Sequence, residues 1–278
     1  MTPGVTLLLI AVGGPAALML LARRDGTAWQ VATPLLFGLL VLAAWQVVCA
    51  GFGVPRILLP APTQIARAIL HNLPTLGVDF VQTVLRSVLP GWLIGCGAGL
   101  LAAIALDRFI FLRRGVLPLG SLVSAMPIVG IAPIMVMWFG FDWQSKAAVI
   151  VVMTFFPMLV NATAGLESTG AMERDLMRSY GARDWQTLLK LRLPNALPFV
   201  FNALKLNSTL ALIGAIVAEF FGTPIVGMGF RISTEVARMN LDMVWAEITL
   251  AAVVGSASFA ALALVERAVT FWHPSFRQ

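Results

Sequence analysis

The spacing of its charges constrains this chain more than any other feature. Ser87 to Leu106, Ala147 to Leu166 and Met243 to Val265 are long apolar runs in which Glu247 is the only charged residue. A helix rises about 1.5 Å per residue, so a hydrocarbon core of about 30 Å is crossed by about twenty residues. These runs therefore read as transmembrane helices. Charged residues make up only 12% of the chain and hydrophobic ones 59%, against roughly a quarter charged in soluble domains. The chain is an integral membrane protein, expected to be an all-α, polytopic helical bundle of about six to seven spans.

Read between charges, seven candidate spans follow. They are Val5 to Ala22, Pro34 to Phe52, Ser87 to Leu106, Gly115 to Phe141, Ala147 to Leu166, Ala196 to Phe221 and Met243 to Val265. The first has its charges, Arg23, Arg24 and Asp25, after the apolar run and none before it, the reverse of a signal peptide, so a retained span is expected. Leu59-Pro60-Ala61-Pro62 turns the chain before a short amphipathic helix, Thr63 to Leu70. Pro118, Pro127 and Pro133 interrupt the fourth run. Broken backbone at membrane depth is tolerated where protein or a wet cavity satisfies it, so this run is a candidate to line a pathway or to kink for packing.

Residues 167–195 are a polar island. Glu167, Glu173, Arg174, Asp175, Arg178, Arg183, Asp184, Lys190 and Arg192 crowd into a stretch flanked by apolar spans. With the island placed in the cytoplasm, twelve Lys and Arg fall on its side and six on the other, as the positive-inside rule requires. The same pattern accounts for the net charge of +6 and leaves no reason to invoke nucleic acid. The capping signals predict a helix from about Ala171 to Tyr180, begun by Ser168 or Thr169 and ended by Gly181 in the left-handed position. A second helix, capped by Asp184, runs from Trp185 to Leu191, and Pro194 stops it or opens the next span. On the first helix Met172, Leu176 and Tyr180 share one face, and Arg174 and Arg178 share another. Such an apolar ridge suits either a partner's groove or the lipid headgroups.

Asp175-Leu176-Met177, three residues, Gly181, nine residues and Leu191-Arg192-Leu193-Pro194 together resemble the cytoplasmic loop of permeases from ATP-binding cassette importers. That family's pattern is Glu-Ala-Ala, three residues, Gly, nine residues, Ile, any residue, Leu-Pro. The Gly to Leu-Pro spacing matches and the small residues do not, since Leu176 and Met177 stand in their place. Leu59-Pro60-Ala61-Pro62, Met126-Pro127-Ile128, Ile131-Ala132-Pro133, Trp138-Phe139-Gly140, Phe156-Pro157 with Asn161, and Ala218-Glu219 before Gly227-Met228-Gly229 are similar to the nitrate, sulfonate and taurine group. Phe155 to Asn161 looks more like the pyrimidine-precursor branch.

The resemblance implies the type I importer permease fold over residues 34–278, with 1–33 an added helix and loop. It also implies a multi-pass protein of the bacterial inner membrane. Its partners would be a second permease copy, ABC ATPase subunits, and a periplasmic or lipid-anchored substrate-binding protein. Met172, Asp175, Leu176, Arg178, Tyr180, Gly181, Arg183, Leu193 and Pro194 would couple it to the ATPase. No cofactor is expected in the chain itself, and none of its three lysines follows a glycine as a phosphate loop requires, so ATP hydrolysis by that route is excluded. ATP and Mg would be bound by the partner.

Polar groups inside apolar runs are candidates for the translocation path. Lys205 near mid-span is costly unless paired, wet or snorkelling. Glu219 could serve an outer gate or pair with Arg231 or Lys146. Met126, Pro127, Asn161, Asn207, Ser208 and Thr209 complete the set, with helix-packing hydrogen bonds as the other use of the polar ones. Cys49 and Cys96 lie in apolar runs and read as core residues. His71 and His273 lie outside the spans, which argues against a Ser-His or His-metal enzyme in the membrane. An ion-coupled secondary transporter is the rival class, and it would show internal repeats that are absent here.

Overall fold

In the computed structural model residues 27–109, 126–222 and 224–272 are described, with single positions at 14, 111, 115, 116, 118 and 120. Nine helices of eight or more residues occur among them, and no strand. They are α1 Thr27–Gly51, α2 Pro62–His71, α3 Leu73–Arg108, α4 Ile128–Phe139, α5 Trp143–Glu167, α6 Ala171–Ser179, α7 Asp184–Glu219, α8 Met228–Ala237 and α9 Leu241–Val269. Five of these, α1, α3, α5, α7 and α9, are long and apolar enough to cross a membrane. The expected span Val5 to Ala22 lies outside the described residues apart from position 14, as do positions 117, 119 and 121–125 of the run from Gly115 to Phe141.

Several boundaries differ from expectation. α1 begins at Thr27, ahead of Pro34, so a domain limit between 33 and 34 falls inside a helix. α3 begins at Leu73 and carries Asp79 and Arg86 within it, although charge was expected to end the span there. Asp79, Gln82 and Thr83 are buried and find partners, so they do not stop the helix. Val81–Val88 is a π-helical stretch in which the Leu89 amide reaches the Val84 carbonyl. Pro194, expected to stop the second helix or to open the next span, does not break the chain, and the helix continues through it to Glu219. A second π-helical stretch, Leu188–Arg192, lies immediately before it. Its wider turn accommodates a proline ring that would otherwise clash with the preceding turn. The connection expected between Gly222 and Asn240 folds into α8 over much of its length.

The helices group into two compact units. One takes in the described residues up to Leu76 together with Ile232–Thr249. Within it Trp45 and Trp245 meet edge to face at 4.9 Å, and the Gln64 side chain accepts the Ala61 amide at the start of α2.

The other unit comprises Gly77–Arg231 and the chain from Leu250. Its core is built by α3, α5 and α7, where Cys96, Ala103, Leu106, Met158, Leu159, Ala162, Val200 and Ala203 are buried together. Gly91, Gly95 and Gly99 recur every fourth residue along one face of α3 and let it lie directly on α5. A Cβ at Gly91 would sit 2.9 Å from the Ala147 carbonyl oxygen, and one at Gly99 would sit 2.5 Å from that of Phe155. Small residues at this spacing are how membrane helices approach closely when no hydrophobic drive separates protein from lipid.

Candidate functional site

The polar segment is shaped by its own caps. Gly170 precedes α6, and its amide donates to the Glu173 carboxylate at 3.0 Å, so the cap is Gly170 and not Ser168 or Thr169. At the other end Gly181 has φ +69°. The Gly181 amide donates to the Arg178 carbonyl at 2.9 Å and the Ala182 amide to the Met177 carbonyl at 3.0 Å, a Schellman ending that favours glycine. Arg183, not Asp184, occupies the cap of α7, and its amide donates to the Gln186 side chain at 2.8 Å. No residue of α6 is buried. Its apolar ridge stands out from the chain, with Met172 85%, Leu176 55% and Tyr180 79% exposed. Asp175 and Arg178 form an exposed pair at 3.3 Å.

Leu193 and Pro194 lie half-buried where α7 leaves its π-helical stretch. Beside them Arg192 holds both carboxylate oxygens of Asp107 on α3, at 2.5 and 2.6 Å. The same guanidinium donates to the Leu166 carbonyl at the end of α5 at 3.0 and 3.1 Å. One arginine thus ties the polar segment to two spans.

The polar groups expected along a path are dispersed. Asn207 is fully buried and donates to the Thr154 carbonyl at 2.9 Å and to Cys96 at 3.3 Å. Lys205 pairs with Glu266 on α9 at 2.6 Å. Ser208 and Thr209 donate to the Lys205 and Leu206 carbonyls of their own helix, and Asn161 donates to Pro157. Met126 and Pro127 are exposed just before α4.

Glu219 takes part in a network at the far end of α7. Its carboxylate accepts the Thr83 hydroxyl at 2.8 Å and the Gly229 amide at 2.6 Å. Thr83 in turn accepts the Met228 amide at 2.8 Å, and Asp79 accepts the Gly227 amide at 2.6 Å. Three consecutive amides leading into α8 are therefore held by side chains from α3 and α7. Gly227 has φ +124°, and a Cβ there would lie 2.8 Å from the Glu219 carboxylate. Arg231 pairs with Asp79 at 2.8 Å. Lys146, itself buried, donates to the carbonyls of Phe141 and Gly222.

Residues 95–271 match the family of binding-protein-dependent transport system inner membrane components. The chain belongs to this permease family. It is 30% identical over 244 residues to the formylaminopyrimidine transport permease protein ThiX of Halalkalibacterium halodurans, a match covering 88% of this chain and 97% of that one. It is also 30% identical over 248 residues to the putative aliphatic sulfonates transport permease protein SsuC of Bacillus subtilis, covering 87% and 88% of the two. Its fold is similar to a chain of the inward-facing MetNI methionine ABC transporter, with TM-score 0.55 and 18% identity over 76% of this chain and 99% of that one.

The permease is thus the inner-membrane subunit of an ATP-binding cassette importer and a multi-pass protein. Of the residues chosen from its sequence, α6 brings Met172, Leu176 and Tyr180 onto one exposed face. Asp107, Arg192, Asp79, Thr83 and Lys146 were not foreseen as a set. Each is an ionisable or hydroxyl group beside or within an apolar run, which is the signal that marks them.

Proposed function

We propose that this permease forms, with a second copy of itself, the path for a small solute delivered by an external binding protein. Residues 167–195 couple it to a separate ATPase, which binds ATP and Mg. The observation that carries this reading is the exposed ridge of Met172, Leu176 and Tyr180 on a helix with no buried residue. A ridge with no cover among the described residues is suited to a groove on a partner. Asp175, Arg178 and Arg183 would flank that groove, and Gly181 fixes the angle at which the helix leaves it. Leu193 and Pro194 would pass the motion along α7 toward its far end. Asn161, Lys205, Asn207, Ser208, Thr209 and Glu219, with Met126 and Pro127, would act along or around the path.

Gly181→Val tests the coupling role. A β-branched residue at φ +69° is strained wherever there is space, while Asn accepts this conformation. Copurification with the ATPase and ATP-dependent uptake should fall in the valine variant and persist in Gly181→Asn. Normal assembly and uptake in the valine variant would overturn the assignment.

The solute is a pyrimidine vitamin precursor. Similarity to the ThiX permease across nearly its full length supports this, together with the run Phe155 to Asn161. The equal identity to an SsuC permease supports sulfonate uptake as the second reading, with nitrate, taurine and riboflavin as the remaining ligand classes. Proteoliposomes of the assembled importer, supplied with its binding protein, should accumulate a labelled formylaminopyrimidine and not an alkanesulfonate.

A further inference from the structure

Between α6, the end of α3 and the start of α7 lies a cavity of about 350 Å³. Its charged lining includes Arg108, Arg174 and Arg178, and its apolar lining includes Ile104, Trp185 and Leu188. Arg192 and Asp107 also line it, but they neutralise each other in their two-pronged pair. Arg178 pairs with Asp175 outside the lining, so what remains is Arg108 and Arg174 against one lining carboxylate, Asp184. That carboxylate approaches Arg108 only to 3.6 Å, with the side chains 67% and 90% exposed. Pairs so exposed are held weakly and are readily exchanged for a better anion. Arg174 has no carboxylate partner among the described residues.

The two halves of the lining call for different chemistry. Arginine forks suit phosphate oxygens, which they can hold through paired hydrogen bonds. Ile104 lies one turn inside the apolar span from Arg108, and tryptophan is a residue of the membrane interface. A free anion would leave that apolar side unused, whereas a lipid fills both. Basic pockets between spans on the cytoplasmic side are suited to anionic headgroups.

We propose that this cavity binds the headgroup phosphate of an anionic phospholipid through Arg108 and Arg174, with the start of the acyl region against Ile104 and Leu188. The proposal rests on the cytoplasmic placement of residues 167–195. It adds to the coupling role a lipid held on the face of α6 that carries the arginines, leaving the ridge of Met172, Leu176 and Tyr180 for the ATPase. Bound lipid would fix where α6 stands before the ATPase arrives.

The test is lipid retention by the purified full chain, offered equal phosphatidylglycerol and phosphatidylcholine and read by native mass spectrometry. This readout involves neither the ATPase nor transport, so its failure is separable from failure of the coupling assignment. Wild type should retain phosphatidylglycerol preferentially. Arg174→Gln should lose about fivefold of that preference, and Arg108→Gln with Arg174→Gln should abolish it. Lys190→Gln, which removes an exposed cation of the same segment from outside the cavity, should change nothing. Equal retention of the two lipids by wild type would overturn the proposal, as would an equal loss in Lys190→Gln. Displacement by millimolar inorganic phosphate would assign the site to a soluble anion, and displacement by one equivalent of ATPase would assign the arginines to the protein interface. Either result overturns it.

Discussion

Arg192 and Asp107, 85 residues apart, close a two-pronged ion pair at 2.5 and 2.6 Å. Because the guanidinium also holds the Leu166 carbonyl, three spans converge on one side chain. The pair is about four-fifths buried, and removing one partner strands the other. Asp107→Ala should therefore lower stability in detergent by roughly 1.5–3 kcal/mol, measured by thermal unfolding. Arg192→Lys keeps the charge but not the fork, and should recover only part of the loss.

The approach of α3 to α5 depends on absent side chains. Gly99→Ala places a methyl against the Phe155 carbonyl and should cost roughly 1–3 kcal/mol through forced separation of the helices. Gly97→Ala is the control, since a Cβ there meets nothing within 4 Å. Unfolding by titration with a denaturing detergent should separate the two variants clearly.

Thr83 bonds the Met228 amide and the Glu219 carboxylate at once. Thr83→Val keeps the shape and removes both bonds. Each buried group left unpaired costs roughly 1–3 kcal/mol, so the turn into α8 should loosen locally. Hydrogen exchange should show the amides of Gly227, Met228 and Gly229 protected in wild type and exposed in the variant, with the α3–α5 core unchanged.

Lys205 and Glu266 pair within the bundle at 2.6 Å, with side chains 16% and 8% exposed. Lys205→Met leaves a carboxylate without its cation and should destabilise by roughly 3–5 kcal/mol. Replacing both, Lys205→Met with Glu266→Leu, should restore most of that loss. A double-mutant cycle on unfolding midpoints measures it. No recovery in the double variant would show that the lysine serves something other than its partner.

Local signals in the sequence were readable where the controlling physics is local. Gly181 ends α6 because a left-handed residue was needed there, and its neighbours alone say so. The third span was expected to begin only at Ser87, after Arg86, because the charge still further back is satisfied at a distance: the partner of Asp79 is Arg231, 152 residues away. Nothing near Asp79 in the chain announces that partner. Pro194 left two readings open, a stop or the entry to the next span, and the sequence does not choose between them because the π-helical stretch that admits its ring is a property of the backbone, with no residue signature of its own. The glycines at 91, 95 and 99 carry a signal of another kind, a small residue every fourth position, which marks a face for close helix packing without naming α5 as the partner.

α7 runs unbroken from Asp184 to Glu219 over 36 residues, about 54 Å at the usual rise. Its first turns line the arginine cavity and its last residue accepts the Gly229 amide in the first turn of α8. A solute or protein that favours one tilt of the outer end must alter affinity at the inner end by the same factor, and the reverse holds equally. Under the proposed coupling role, nucleotide state and solute delivery would be two readings of a single angle, and a variant that biases one should shift the apparent affinity of the other without touching its contacts.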